Sequence, residues 1–428
     1  MLFKGEKRRN IEQTDKEHLW HPLTQHQTAL PPLAIKKAKG VYLWDIKGNK
    51  YIDGIASWYT AMYGHCHPKL TRAISRQAKK LDQIVFTGFT HQAATDLAEK
   101  LMGILPQNQK RLFFSDNGST SVEVAIKTAL QYHFNKGLKK ETLIAFENGF
   151  HGDTFGAMSV SGLSVYNGPF EEFFIQVERI PVPNEHNIEQ VMSKLQSLSE
   201  KKEIAAFVYE PLIQGAAGMK MYNPAHLDRV LDFCKSKTIL CIADEVMTGF
   251  GKTGTYFASE QLSNQPDFIC LSKALSAGML PLALTSCTET IYQAFLSDDL
   301  AKGFFHGHTY SANPLACAVA SSAIDLLTSN SIQSAIRRIE KQHHLFVNEL
   351  KANQNVSNAR SKGVILAFEL NKEMSRYGEK RNELYQFFMR QGVYLRPLGN
   401  TIYISAPYTC TSRQMNKIYN AVRAAIKL

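Results

Sequence analysis

Through the middle of the chain, short β-type runs alternate with stretches of helical length. The runs are Arg111–Ser115, Thr142–Phe146, Ala205–Tyr209, Ile239–Ala243, Phe268–Leu271 and Leu282–Thr285, and Ser119–Asn135 and Pro224–Ser236 lie among the segments between them. Near-continuous apolar runs bounded by turn residues predict strands buried on both faces, and connections long enough for a helix predict parallel pairing. The expected class is therefore α/β.

The flanks follow a different pattern. Gly40–Ile55 predicts two short strands around the turn Lys47–Gly48–Asn49. Asn313–Leu327 and Ile332–Leu350 predict long helices. They lead to Gly363–Glu369, a helix around Glu383–Gln391, strands at Val393–Arg396 and Thr401–Ser405, and a last helix at Thr411–Ile426. This organisation predicts a large domain over residues 61–325 and a smaller α+β domain over 326–428, with the N-terminal segment 1–60 joining the smaller one. Pro314–Leu327 is the most apolar long stretch, and it is shorter than the roughly 20 residues of a membrane span. The opening MLFKGEKRRN is basic but leads into the polar IEQTDKEH, unlike a secretory signal.

Composition narrows the class further. The 428 residues carry a formal net charge of +11, which would suit an acidic partner, yet the basic residues are interspersed with acidic ones. The densest runs, Lys136–Lys140 and Lys372–Arg381, are expected to be solvated faces, not a nucleic-acid groove. Seven cysteines without a CxxC pair fit a reducing compartment, and the expectation is a soluble cytoplasmic protein.

Candidate chemistry concentrates at strand ends. TILCIADEVMTGFGKT at Thr238–Thr253 delivers Asp244 and Glu245 at the carboxyl end of a strand, and Phe268–Leu271 runs into Ser272–Lys273. Ligands of open α/β sheets bind at that edge, so an acid and an amine could share one cleft, or could cap two strands as an ion pair. Gly249–Gly254 satisfies G-x-G-x-x-G, but DEVMT separates it from its strand, and Val246 stands where a P-loop needs glycine. SDNGSTS at Ser115–Ser121 lies between a strand and a helix. It could cradle an anion on backbone amides, or form an ordinary cap with Ser119 or Thr120 opposite Glu123. His65–His67 and His306–His308 have i, i+2 spacing and no carboxylate cluster, so no metal is expected.

Several motifs recur in a fixed order from Trp20 to Tyr408. They are WHP at Trp20–Pro22, Asp53–Gly54 with Ser57–Trp58, GHCHP at Gly64–Pro68, FFSDNGSTSVEVAIK at Phe113–Lys127 and HGDTFGAMSVSG at His151–Gly162. EPLIQGAAGM at Glu210–Met219, ADEVMTGFGKTG at Ala243–Gly254, LSKAL at Leu271–Leu275, HGHTYSANPLA at His306–Ala316 and RPLGNTIYISAPY at Arg396–Tyr408 continue the series. Together they resemble the class III, fold-type I pyridoxal-phosphate aminotransferases, over nearly the whole chain. The likeness is greatest to the branch that aminates 8-amino-7-oxononanoate in biotin biosynthesis.

The resemblance implies a role for each matching residue. Lys273 would bond to the cofactor aldehyde and move the proton, and Asp244 would keep the ring nitrogen protonated. Gly118 and Ser119 would bind the phosphate, with Thr309 reaching in from the neighbouring subunit of a homodimer. Phe150 and Val246 would pack on the two ring faces, and Asp153 and Glu210 would support the pocket. Arg396 would grip the substrate carboxylate with its forked guanidinium. Trp58, Tyr59, Gly307 and His308 would line the substrate path, and Trp20–Thr24 would complete it.

The chain departs from that branch at Leu23 and Phe150, where tyrosine is usual, at Lys252, where arginine is usual, and at His308, where proline is usual. Two phenol hydroxyls are thus missing from the expected donor pocket. S-adenosylmethionine is the expected donor, with lysine as the alternative. Another class III ω-amino-acid or ornithine-type aminotransferase is a second reading, and a basic nucleotide-binding protein built on Gly249–Gly254 is a third.

Overall fold

The computed structural model describes residues 11–164 and 167–428, so the opening segment MLFKGEKRRN lies outside the described residues. A seven-stranded sheet runs through the large part of the molecule. Its order is Gln109–Ser115, Ala283–Thr288, Phe268–Leu271, Leu240–Asp244, Ile204–Tyr209, Thr142–Phe146 and Val177–Ile180. Ala283–Thr288 pairs antiparallel with both of its neighbours, and the remaining pairs are parallel. The helix Gly118–Asn135 packs across one face, burying Val122, Ala125, Ile126 and Ala129. Strands covered on both sides favour near-continuous apolar runs, and Thr142–Phe146 and Ile204–Tyr209 are buried throughout.

A three-stranded antiparallel sheet, Val356–Lys362, Ile365–Leu370 and Thr401–Ile404, forms the C-terminal part together with the helices Asn330–Lys351 and Ser412–Ile426. Asn330–Lys351 buries Ile332, Ile336, Ile339, His343, Phe346, Val347 and Leu350, a stripe at helical spacing. Each large apolar side chain in it contributes about 1.5–3 kcal/mol by leaving water. His343 stays in that stripe because Val364 O lies 3.1 Å from its Nε2 and the Tyr419 hydroxyl lies 2.8 Å from its Nδ1. Burial pushes its pKa down to about 4, which keeps it neutral. Ser412–Ile426 begins at a capping box in which Thr411 and Gln414 satisfy each other's amides.

Near the N-terminus, Ile35–Lys39, Tyr42–Asp45 and Lys50–Asp53 form a meander whose last strand pairs in parallel with Val393–Tyr394. The two ends of the chain therefore share one sheet. Pro314–Leu327 is buried along most of its length, and among the described residues no single helix is long and apolar enough to cross a membrane.

Candidate active site

Leu240–Asp244 and Phe268–Leu271 are parallel neighbours, with Asp244 opposite Cys270, so Asp244 and Lys273 leave the sheet at the same edge. The strand extends to Asp244, one residue beyond the predicted end, which makes the carboxylate the last side chain held by the ladder. Asp244 is 4% exposed. Its Oδ1 accepts from Val246 N at 3.1 Å, and its Oδ2 lies 2.8 Å from His151 Nδ1. His151 is fixed in turn by its backbone amide, which donates to Ser161 Oγ at 2.9 Å. Its Nε2 is buried without a hydrogen-bond partner among the described residues.

Glu245, the next residue, faces the other way. Its carboxylate accepts from Thr248 Oγ1, Ala258 N, Ser259 N and Ser259 Oγ at 2.6–3.0 Å, a closed network that leaves nothing for a ligand. Of the two strand-end acids, only Asp244 faces the lysine.

Lys273 has φ 48, the left-handed region that costs an L-residue about 1–2 kcal/mol. Its Nζ makes no hydrogen bond or ion pair among the described residues and sits 5.4 Å from the centre of the Tyr59 ring. Burial lowers its pKa, opposed by the charges of Asp244 and Glu210, so the neutral amine gains population. Lys252 behaves differently. It is fully buried, donates to Gly249 O at 2.7 Å, and is pushed down to about 7 by burial and then by Lys273.

The SDNGSTS corner corrects one expectation. The helix starts at Gly118, and its cap is Asn117, not Ser119 or Thr120. Asn117 Oδ1 accepts from Thr120 N at 3.0 Å, while Thr120 Oγ1 accepts from Asn117 N at 3.2 Å. Gly118 and Ser119 are thus the first two helical residues, whose amides precede the first helical hydrogen bond. A Cβ on Gly118 would lie 2.8 Å from Val246 Cγ1, so only glycine lets this helix end approach the Asp244 strand end. Ser119 Oγ accepts from Asp153 N at 3.2 Å, and a Cβ on Gly152 would come within 2.1 Å of the same oxygen.

Glu210 ties the walls together. Its carboxylate accepts from Phe150 N at 3.1 Å and from Gly215 N at 2.8 Å, and the hydroxyl of Tyr222 donates to its backbone carbonyl. Burial raises its pKa to about 7; His151 opposes the rise and Asp244 adds to it. Phe150 is 42% exposed beside this anchor, whereas Val246 is buried.

Trp58 and Tyr59 stand on a left-handed helical turn, with φ 47, 46, 60 and 67 at Ala56, Ser57, Trp58 and Tyr59. Trp58 stacks beneath the Arg396 guanidinium, 5.3 Å from ring centre to Cζ, and Tyr59 also contacts Tyr403 at 5.9 Å. Tyr394 lies beside Arg396, and Arg381 donates to Pro397 O at 3.1 Å. Among the described residues no carboxylate pairs with Arg396 or Arg381.

Thr309, Gly307 and His308 share the loop that precedes the helix Pro314–Leu327. Thr309 is exposed, and its carbonyl accepts from Gln83 Nε2 at 2.7 Å; the amide of Tyr310 donates to His308 Nδ1 at 3.2 Å. Their loop leaves Phe305 80% and Tyr310 61% exposed. Trp20 and Leu23 are exposed as well, with His21 bonded to Asp15. The paired histidines are used separately: His65 meets Asp53, and His306 meets Lys127. Among the described residues no group of three or more ligating side chains could hold a metal. His151 and Arg381 carried no expectation of a role from the sequence. Only the HGD motif around His151 offered a signal, and Arg381 sits in a charged run that reads as solvated.

An amine with no hydrogen-bond partner among the described residues, a buried carboxylate fixed at both oxygens and a helix end packed so closely that a Cβ is excluded fit pyridoxal phosphate. The family model for class III aminotransferases matches residues 23–426. A relative from Synechococcus elongatus, named adenosylmethionine-8-amino-7-oxononanoate aminotransferase, is 40% identical over 95% of this chain and 97% of its own. The crystal structure of an enzyme of that name from Methanocaldococcus jannaschii superposes with a TM-score of 0.92 at 33% identity, covering 97% of this chain and 98% of the other. An amine transaminase from an uncultivated Pseudomonas species, solved with pyridoxal phosphate bound, gives 0.89 at 29% identity, covering 96% and 98%. The chain belongs to the class III aminotransferases, enzymes of fold type I that work with pyridoxal phosphate.

Proposed function

We propose that this aminotransferase converts 8-amino-7-oxononanoate to 7,8-diaminononanoate in biotin biosynthesis, with S-adenosylmethionine as amino donor. Relatives 34–40% identical over nearly their whole length support the reading by their shared name. The single observation behind the acceptor is Arg396, a guanidinium with no carboxylate partner, stacked on Trp58, while the adjacent Tyr59 reaches Lys273. That spacing suits a substrate with a carbonyl at one end and a carboxylate at the other.

When bound, the cofactor supplies the carbonyl that takes up the amino group and a ring that delocalises the electrons left behind by a departing proton. Lys273 is the covalent partner, and its Nζ, made less basic by burial, moves that proton. Asp244, oriented by Val246 N and His151, holds a proton on the ring nitrogen. Gly118 and Ser119 would bind the phosphate, and Phe150 and Val246 would hold the ring. Asp153 positions Ser119, and Glu210 positions Phe150.

Thr309 serves the phosphate across a homodimer, supported by the exposure of its loop and of Phe305 and Tyr310 beside it. Gly307 and His308 of the same loop line the substrate path. The division at residues 60 and 325 is the domain organisation proposed. Seven cysteines, none in a disulfide, favour a cytoplasmic setting.

The test is a pair of half-reactions, following loss of the visible cofactor band with S-adenosylmethionine and with lysine, and then amination of 8-amino-7-oxononanoate. Bleaching by lysine alone would exchange the donor. Turnover of 4-aminobutyrate or ornithine with no reaction of the oxononanoate would replace the whole reading. Arg396→Ala should raise the acceptor KM by the equivalent of about 1.5–3 kcal/mol, the value of a charged hydrogen bond.

A further inference from the structure

Four consecutive L-residues without a glycine or asparagine, Ala56-Ser57-Trp58-Tyr59, occupy left-handed backbone conformations. Each is disfavoured there, because its Cβ crowds the following carbonyl, and such strain persists only where the surroundings over-determine it. The turn's own hydrogen bonds, Tyr59 N to Ile55 O at 3.0 Å and Thr60 N to Ala56 O at 2.9 Å, would form equally in a right-handed turn. Something outside the turn selects the hand.

Asp53 is wholly buried at the end of Lys50–Asp53, immediately before the turn. Its Oδ1 accepts from Ile55 N at 3.3 Å, and its Oδ2 accepts from Ser57 Oγ at 2.9 Å. The same Oδ2 lies 2.9 Å from His65 Nε2, and His65 is tied to the meander by a two-way backbone pair with Gly40. A carboxylate buried this deeply must be satisfied, and two of its three partners belong to the residues that enter and form the turn. Ser57 reaches Oδ2 from its left-handed conformation, φ 46 and ψ 58. On the far side, Thr60 packs against Gly278, where an added Cβ would meet its Oγ1 at 2.8 Å. The turn is thus pinned between Asp53 and the segment that follows Lys273.

We infer that Asp53 is a positioning residue. Through Ser57, Ile55 and His65 it clamps the left-handed turn that lays Trp58 under Arg396, and so it sets the enzyme's preference for an acceptor bearing a carboxylate. This inference rests on the reading of Arg396 given above. Left-handed geometry sends successive side chains round the turn in the opposite sense from a right-handed one. Trp58 and Tyr59 can therefore meet Arg396 and Lys273 together only while the clamp holds.

The test compares 8-amino-7-oxononanoate with its methyl ester, in which the carboxylate is masked, on the holoenzyme. Asp53→Asn should reduce the acid-over-ester preference in kcat/KM at least fivefold. Ser57→Gly in that background should recover part of it, because glycine adopts the left-handed region freely. A second readout needs no substrate. In a Trp20→Phe, Trp44→Phe background, the acrylamide quenching constant of Trp58 should at least double on Asp53→Asn.

If Asp53→Asn does not fold, Ser57→Ala removes one clamp contact, and a preference reduced at least twofold carries the inference. An unchanged preference with unchanged quenching in a folded variant overturns it. If the parent enzyme itself shows no acid-over-ester preference, the reading of Arg396 falls, and the quenching result alone decides whether Asp53 clamps the turn.

Discussion

Asp244 and Lys273 leave adjacent parallel strands at their carboxyl ends, whereas Trp58 and Tyr59 stand on a strained turn four residues long. In the first region a hydrogen-bond ladder fixes the backbone up to Asp244 and Leu271, and left-handed backbone occurs at separate residues, Lys273 and Ala277. In the second, strain runs through four successive residues, and side-chain bonds to Asp53 replace the ladder. Chemistry common to a whole family can sit on regular structure. The part proposed to choose among substrates stands on a segment held by a few replaceable contacts. The largest expected effect belongs to the first region: Lys273→Ala should cut turnover by about 10³-fold or more and abolish the borohydride-reducible link to the cofactor. Retained turnover in a folded variant would break the comparison at its root.

A second substitution separates two neighbouring carboxylates. Glu245 serves the fold, because four donors converge on it, whereas Asp244 is the acid proposed for the site. Glu245→Gln turns one acceptor oxygen into an amide that faces donors. It should lower stability by about 3 kcal/mol, as expected when buried charged hydrogen bonds are left unsatisfied. Urea denaturation measures this directly. The same loss without a change in the KM of either substrate would keep Glu245 outside the chemistry, and a selective KM change with full stability would place it inside.

The two regions were also unequally legible in the sequence. Thr142–Phe146 and Phe268–Leu271 emerge with the bounds observed because a strand buried on both faces reads as a near-continuous apolar run. Val177–Ile180 escaped notice, since an edge strand reads as VERI with two charged residues. Val356–Lys362, VSNARSK, was missed for the same reason at the edge of the smaller sheet. The cap at Ser115–Ser121 was placed two or three residues late because Asn, Ser and Thr in succession all satisfy the same local rule. The left-handed turn left no trace at all. ASWY contains none of the residues that favour positive φ, so its conformation is imposed by Asp53 and the surrounding packing. Resemblance supplied the role of Trp58 but not the means that hold it.

Glu210 gives a pH-dependent measure of how closely the sheet-end region is packed. Its folded pKa of about 7 lies above the ordinary value of 4.5, so between those limits the native state binds a proton that the unfolded chain does not. Its contribution is present at low pH and is lost as pH rises through 7. Wild-type stability should therefore fall relative to Glu210→Gln between pH 4.5 and 7, by on the order of 3 kcal/mol. Urea titrations of the cofactor-free proteins at pH 5 and pH 7.5 check the sign. A difference between the two proteins that does not vary with pH would mean that Phe150 N and Gly215 N hold the carboxylate ionised throughout.

The smallest effect tests whether strain at the sheet end is a property of one backbone position. Lys273→Ala and Lys273→Gly both delete the amine, so their stabilities differ through the backbone alone. Alanine retains the left-handed penalty at φ 48, whereas glycine escapes it and surrenders some unfolded-chain entropy in return. Left-handed strain of about 1–2 kcal/mol against an entropy cost of about 0.5–1 kcal/mol leaves the glycine variant ahead by up to about 1.5 kcal/mol. If alanine proves equal or better, the loop between Ser272 and Ala277 has relaxed to a right-handed path once the lysine is gone. The strain would then be held in place by the lysine side chain, and the sheet end would resemble the Asp53 turn instead of contrasting with it.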